Sequence, residues 1–300
     1  MTAEPTPFWH VARHSKPNPP VPSPSRPMLN LPEFSDKGLF GPESIMWKLN
    51  REQAIILGGP AAAVLQIAHP KVAQGVADHS DFRHDSYGRF KRTLSAVRTI
   101  TFGSRDEVLK MAHGVQRMHQ RVQADPQAPG GPYSAFDPDL QLWVLATLIQ
   151  GAVSNYERFI GPLTPEEKQA YLEDMKGWGE FFGLPRTHGP NTWTAFQDYF
   201  DTMLHGPLLG SEPVCAEVAQ RVVYLERPHL FRIATSPLRF LVTERIPQPL
   251  LERLGLSSSS WTRAGWSAAQ NLVPALYAYL PKRWRYPIEY RRALPRWQTA

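Results

Sequence analysis

Apolar residues recur every three or four positions along most of the chain after Pro42, which is the spacing of a buried helix face. The pattern predicts helices over 43–57, 60–68, 71–77, 87–102, 105–123, 138–160, 165–182, 192–204, 212–225 and 260–279. Only residues 229–246 fit a strand as well as a helix. There is no internal repeat and no alternation of strands with helices. The fold class that follows is all-α, in a single multi-helix domain.

Several predicted helices begin at a recognisable cap. Ser104 is followed three residues later by Glu107, and Thr164 by Glu167, which is the capping-box pattern. Asp137 precedes Pro138 at the start of the long helix 138–160, where Asp suits the N-cap and Pro the first helical position. These signals set the helix starts independently of the apolar spacing.

The two ends of the chain differ in composition from its middle. Residues 1–40 form a Pro-rich arm without periodicity, residues 41–280 carry the helices, and residues 281–300 form a basic, aromatic tail. The whole chain has 33 Lys and Arg against 27 Asp and Glu, a formal charge of +6. Within 281–297 there are six Lys and Arg against one Glu.

The basic tail allows two interpretations. It is either a solvated segment that aids solubility or, because Arg alternates with Trp and Tyr, a peripheral contact with an anionic membrane surface. No motif of a nucleic-acid-binding fold accompanies the charge, so we do not expect a nucleic-acid partner.

Cysteine content and hydropathy bear on the compartment. The single cysteine, Cys215, lies in a helical pattern, which excludes an intramolecular disulfide and favours a packed core thiol. No run reaches the roughly 18 apolar residues of a membrane span, and the N-terminus lacks the apolar segment of a signal peptide. We therefore expect a cytoplasmic protein.

One histidine lies within a stripe that is otherwise apolar. The stripe of helix 105–123 consists of Val108, Met111, Ala112, Val115, Met118 and Val122. At about 100° per residue His119 points to the same side and His113 to the opposite one. His119 is then either an ordinary core histidine or the ligand of a cofactor that needs one protein ligand, of which haem is an example. No His, Asp or Glu lies three or four residues away, so a zinc or di-iron pair is not predicted.

Other polar residues leave similar alternatives. Arg89, Arg92 and Thr93 flank the stripe of helix 87–102, either as surface residues or at the edge of a pocket that binds a carboxylate or propionate. His69, before Pro70, fits a hydrogen bond within a turn, and His79 either orients its loop or lines a pocket. The motifs of serine hydrolases, P-loop proteins, dinucleotide-binding folds and zinc proteases are missing.

Several segments, taken together and in order, are diagnostic. The segments "LGGPAAAVLQIAHPKVAQGVADHSDFRHDSYGRFKRTLSAVRTITFG", "MHQRV", "YSAFDPDLQLWVLATL" and "NYERFIGPLTPEEKQAYLEDM" closely resemble the rubber oxygenase/MpaB family, over about residues 41–205. The resemblance implies an all-helical fold around one haem b. It also implies an enzyme that uses O₂ to cleave isoprenoid carbon–carbon double bonds.

The resemblance also implies roles for particular residues. His119 matches the axial ligand of the haem iron, and Arg89 and Thr93 match the family's Arg and Thr on the preceding helix. Arg92 takes the place of a distal-side lysine of latex-clearing proteins. Relatives commonly have a histidine where this chain has Leu145, so the role of that histidine is not transferred.

The resulting expectation is a haem b-dependent oxygenase that acts on a small apolar substrate, with O₂ activated at a His-ligated iron. Two alternatives stay open: a haem-binding sensor or carrier without turnover, and a haem peroxidase or peroxygenase.

Overall fold

Helices form nearly all of the regular structure. The computed structural model describes residues 33–79, 86–124, 131–224 and 239–298. Its α-helices are α1 Ile45–Asn50, α2 Gly59–Ala68, α3 Pro70–His79, α4 Ser86–Phe102, α5 Arg105–His119, α6 Pro138–Phe159, α7 Pro165–Glu180, α8 Trp193–His205, α9 Pro213–Tyr224, α10 Phe240–Thr243, α11 Gln248–Arg253, α12 Ser260–Tyr279, α13 Lys282–Arg285 and α14 Ile288–Gln298. Within these ranges the only β-pairing is a bridge between Gln123 and Ser134. The prediction of an all-α fold is confirmed.

The predicted helix starts are confirmed at the atomic level. Both halves of the capping box are present at Ser104 and Glu107, and again at Thr164 and Glu167. The side chain of Asp137 accepts a hydrogen bond from the backbone N–H of Asp139, 3.0 Å away. Each cap satisfies backbone donors that the first helical turn leaves unpaired.

Two predicted helices are shorter than expected. The helix over 43–57 was a wrong prediction, because α1 ends at Asn50 and a separate 3₁₀ helix follows at Gln53–Gly58. Glu52 is extended between them, and its buried carboxylate receives the guanidinium of Arg285 at 3.1 Å. The helix over 105–123 ends at His119, since the chain then turns toward the bridge at Gln123.

The core is centred on α2 and α6, which pack against each other. The buried indole of Trp143 donates to the carbonyl of Leu65 across this contact, at 2.9 Å. The N-terminal end of α2 approaches α6 closely, because a Cβ on Gly58 would lie 2.1 Å from Nδ2 of Asn155. The helices α3, α7 and α9 complete the layers around this pair. The predicted core thiol is confirmed, since Cys215 of α9 is buried.

The pair α2 and α3 is bent at His69 and Pro70. No single helix of the described ranges is long and apolar enough to cross a membrane. Residues 53–68 and 70–79 reach that length and composition only when they are counted together across a bend of 99°. Of the ambiguous segment 229–246, α10 is helical, and residues 229–238 lie outside the described residues.

The two terminal segments pack on the body where they are described. Phe34, at the end of the Pro-rich arm, meets Phe181 edge-on with ring centroids 5.5 Å apart. In the basic tail, Tyr290 and Trp297 of α14 pack against Trp47 with centroids 5.4 and 6.2 Å away. The tail is therefore folded onto α1, and its aromatic residues Tyr290 and Trp297 face inward.

Candidate functional site

His119 is the last residue of α5, and its imidazole lies between two aromatic rings. The ring centroid is 6.1 Å from that of Phe136 and 6.4 Å from that of Phe182. Nδ1 is buried and has no hydrogen-bond partner. Burial lowers the pKa of His119 to about 4, so the ring is neutral near pH 7. A neutral imidazole with a free lone pair is the form that binds a metal.

Further unpaired polar atoms surround Phe181 and Phe182 at the end of α7. The side-chain amide of Gln116 donates to the carbonyl of Phe181 at 3.0 Å, and that of Gln141 donates to the carbonyl of Phe182 at 2.8 Å. Both glutamines are left with a buried Oε1 that accepts nothing. The indole Nε1 of Trp178, whose ring is 4.3 Å from that of Phe182, is also buried and unpaired.

This local concentration is unusual for a folded protein. Four residues around one short segment, namely Gln116, His119, Gln141 and Trp178, each hold a buried polar atom without a partner. Native structures have few such atoms, and each costs about 1–3 kcal/mol when nothing satisfies it. A bound ligand or ordered water that reaches these atoms removes that cost. The junction of α5, α6 and α7 is therefore the candidate functional site.

The apolar stripe predicted on α5 is only partly correct. Val108 and Ala112 are fully buried as expected, but Met118 is 54% exposed. Met118 is the residue before His119, so it points about 100° away from the imidazole and into solvent. Gln116 is buried instead. The apolar spacing did not predict a role for this glutamine, and its position three residues before His119 on the same side of the helix was the available signal.

The other predicted site residues lie on α4, which packs against α5. α4 and α5 pack together and are joined by a two-residue turn at Gly103 and Ser104. From the helix rise, Arg89 and His119 each lie roughly 20 Å from that turn. Arg92 and Thr93 have exposed side chains on α4. The side chain of Arg89 lies outside the described residues.

The contacts of two further histidines bear on their predicted roles. His69 is buried with an unpaired Nδ1, and burial lowers its pKa, so its ring does not make the turn hydrogen bond that the sequence suggested. His79 donates from Nε2 to the carbonyl of Gln123 at 3.1 Å, and this bond ties the end of α3 to the segment after α5. The loop that follows His79 lies outside the described residues. Beside it, the Tyr133 hydroxyl donates to the carboxylate of Asp78 at 2.6 Å.

Leu145 occupies an apolar environment in α6. It is buried and lines a small apolar pocket together with Leu142, Leu172 and Leu184. The position at which relatives commonly have a histidine therefore offers no polar group. The described residues also contain no group of three or more His, Cys, Asp or Glu side chains that would hold a metal ion by themselves.

A second cavity, of about 270 Å³, lies between α2, α6 and α8, beside Trp266 of α12. Arg245 lines it and donates to Asn155 at 2.9 Å and to Ser154 at 3.1 Å. Burial, with a smaller contribution from nearby Arg158, lowers the pKa of Arg245 to about 10. The guanidinium of Arg245 already connects the end of α10 to α6, and the lining of the cavity contains both polar and apolar side chains. This cavity therefore does not suit an apolar substrate.

Comparison with known proteins decides the family. The model of the catalytic domain of the ER-bound oxygenases mpaB/B′ and rubber oxygenase matches residues 47–278. The chain belongs to this family. The match covers the helices that form the His119 site, and it includes α12 at its C-terminal end.

Curated relatives are mycobacterial. Uncharacterized proteins of Mycobacterium bovis and Mycobacterium tuberculosis are each 30% identical to the chain over 152 residues. The aligned region is 49% of this chain and 59% of each relative, so the chain spans less than two thirds of their length. No solved structure matches the chain.

Proposed function

We propose that this protein is a haem b-dependent oxygenase that uses O₂ to oxidise a small apolar, isoprenoid-like substrate. Membership of the oxygenase family supports the reaction class. The observation that favours haem is the neutral imidazole of His119, whose Nδ1 is buried and unpaired. Haem iron needs one protein ligand, whereas a bare metal ion needs several.

A haem at the junction would be held by one protein ligand. His119 would bind the iron, and Phe136 and Phe182 would form aromatic walls beside its imidazole. Bound haem would supply the activation of O₂. From α4, Arg89 and Thr93 would bind the propionates, and Arg92 would donate a hydrogen bond to O₂.

The glutamines of the site act on its backbone. Gln116 and Gln141 clamp the carbonyls of Phe181 and Phe182 from two different helices. The clamp fixes the Phe182 ring beside His119. A fixed aromatic wall keeps the imidazole oriented and excludes bulk water from the apolar side of the site.

The test is the absorption spectrum of the protein after reconstitution with haem. We expect a Soret band with histidine ligation, and His119→Ala should change its position or abolish it. The matched control is His113→Ala, because His113 lies on the same helix and points about 120° away from His119. Imidazole added to His119→Gly should restore the wild-type spectrum. An unchanged spectrum in His119→Ala would exclude His119 as the ligand.

Turnover is tested separately from haem binding. O₂ consumption is measured with a panel of terpenoids and carotenoids, and we expect uptake with oxidised product for at least one. A sensor or carrier would instead exchange haem rapidly and form no product. A peroxidase or peroxygenase would be active with H₂O₂ and inactive with O₂ alone.

A further inference from the structure

The outer face of α12 is apolar and exposed along its whole length. Trp261, Leu272, Leu276 and Tyr279 are exposed to 86, 57, 65 and 89%. With 3.6 residues per turn they lie within an arc of about 60°, so they form one stripe. Trp284 of α13, 60% exposed, follows immediately along the chain. We call these five residues the α12 face.

The opposite side of α12 is already used for packing. Tyr277 is buried against Ala54 and Phe159, and Trp266 and Val273 pack on the same cluster. The α12 face is therefore a second apolar surface of a helix whose first apolar surface is buried. A helix on the surface of a protein typically has one apolar side, which is buried, and a polar side that faces water. A contiguous exposed apolar surface generally marks a binding site.

The segment of chain that forms the α12 face carries charge of one sign. The 36 residues 253–288 contain five Arg and Lys and no Asp or Glu. Arg285 is paired with Glu52, but Arg263, Lys282 and Arg283 are exposed near the two ends of the face. No described carboxylate forms an ion pair with Lys282 or Arg283.

We propose that the α12 face docks on an anionic lipid surface. Trp261 is at one end of the face and Tyr279 and Trp284 are at the other, which suits aromatic rings at the headgroup level. Leu272 and Leu276 between them would enter the acyl boundary, and the exposed cations would contact lipid phosphates. α12 is about 30 Å long and would lie parallel to the membrane plane.

Charge favours this occupant over the alternatives. A second copy of the chain docked on the same face would bring together two segments that each carry cations and contain no Asp or Glu. The Pro-rich residues 1–32 hold three Arg and Lys and one Glu, so they also lack the complementary charge. The proposal also extends the membrane contact predicted for residues 281–300 to α12, and it leaves out Trp297 of that tail, which packs inward.

Co-sedimentation with vesicles tests the proposal on the full-length chain. We expect binding to phosphatidylcholine vesicles that contain phosphatidylglycerol, weaker binding at high salt, and weaker binding to pure phosphatidylcholine. The double substitution Leu272→Glu and Leu276→Glu should weaken binding by about tenfold or more. Lys282→Gln with Arg283→Gln should weaken it on the anionic vesicles only.

A matched control separates this face from general hydrophobicity. Leu208→Glu alters another exposed leucine, 44% exposed, that belongs to the turn between α8 and α9 rather than to α12 or α13, and it should leave binding unchanged. Thermal unfolding checks that each variant is folded. The proposal is overturned if the wild type does not bind anionic vesicles, or if the Leu272 and Leu276 substitutions leave binding intact. If the Leu272 and Leu276 substitutions convert a dimer into a monomer and leave vesicle binding intact, the face would be assigned to contact with a second copy of the chain. None of these measurements depends on haem.

Discussion

The pKa of His119 makes the stability of the cofactor-free protein depend on pH. Because burial holds this pKa at about 4, against an ordinary value of 6.5, the unfolded chain takes up a proton in that interval and the folded chain does not. The contribution of His119 to the unfolding free energy is therefore fully present above pH 6.5, and it is lost as the pH falls from 6.5 to 4. At about pH 5 the difference amounts to about 2 kcal/mol of unfolding free energy relative to about pH 8.

The variant His119→Leu isolates this effect. The leucine side chain binds no proton. On acidification from about pH 8 to about pH 5 the wild type should therefore lose about 2 kcal/mol more unfolding free energy than the variant. Urea titration of both proteins, each stripped of cofactor, measures this difference. His69 titrates equally in both proteins and cancels. A difference that stays constant between the two pH values would show that His119 is solvated, and the burial argument would then be wrong.

Two further predictions concern the scaffold. Glu52→Gln removes the carboxylate that Arg285 contacts at 3.1 Å and should lower the unfolding free energy by about 3 kcal/mol. The double variant with Arg285→Met should lose less than the sum of the two single variants. If urea titrations show that the losses add, the pair is not coupled. Gly58→Ala places a Cβ 2.1 Å from Asn155 and should lower the unfolding free energy by about 2 kcal/mol. The control Gly161→Ala, whose Cβ would have nothing within 4 Å, should lower it far less in the same assay. Equal losses would contradict the close approach of α2 to α6.

The sequence was sufficient for features that depend on near neighbours. The caps at Ser104, Thr164 and Asp137 were predicted because each needs only residues two or three positions away. The break at Glu52 was missed because the groups that its carboxylate contacts, Tyr277 and Arg285, lie more than two hundred residues further along the chain. Local patterns contain no information about such a partner.

The same distinction applies to the candidate site and to α12. The spacing of residues 105–122 placed His119 on the buried side of its helix, but it could not show that Gln116 and Gln141 converge on Phe181 and Phe182. The periodicity of residues 260–279 predicted a helix and left open which of two apolar faces is covered. Only packing against Phe159 decides that the inner face is buried.

The unpaired atoms at the junction also constrain what the site must contain during turnover. The side-chain amide groups of Gln116 and Gln141 already donate to backbone carbonyls, so their remaining atoms are two acceptors, and Trp178 adds one donor. An apolar substrate satisfies none of these, while each costs about 1–3 kcal/mol if it stays dry. The proposed oxygenase therefore requires ordered water at the two Oε1 atoms. Phe136 and Phe182 flank the imidazole that would bind the iron, so these unpaired atoms lie beside the cofactor-binding histidine. Water held there would satisfy the glutamine clamp and keep the imidazole oriented, and the apolar substrate would be bound away from it.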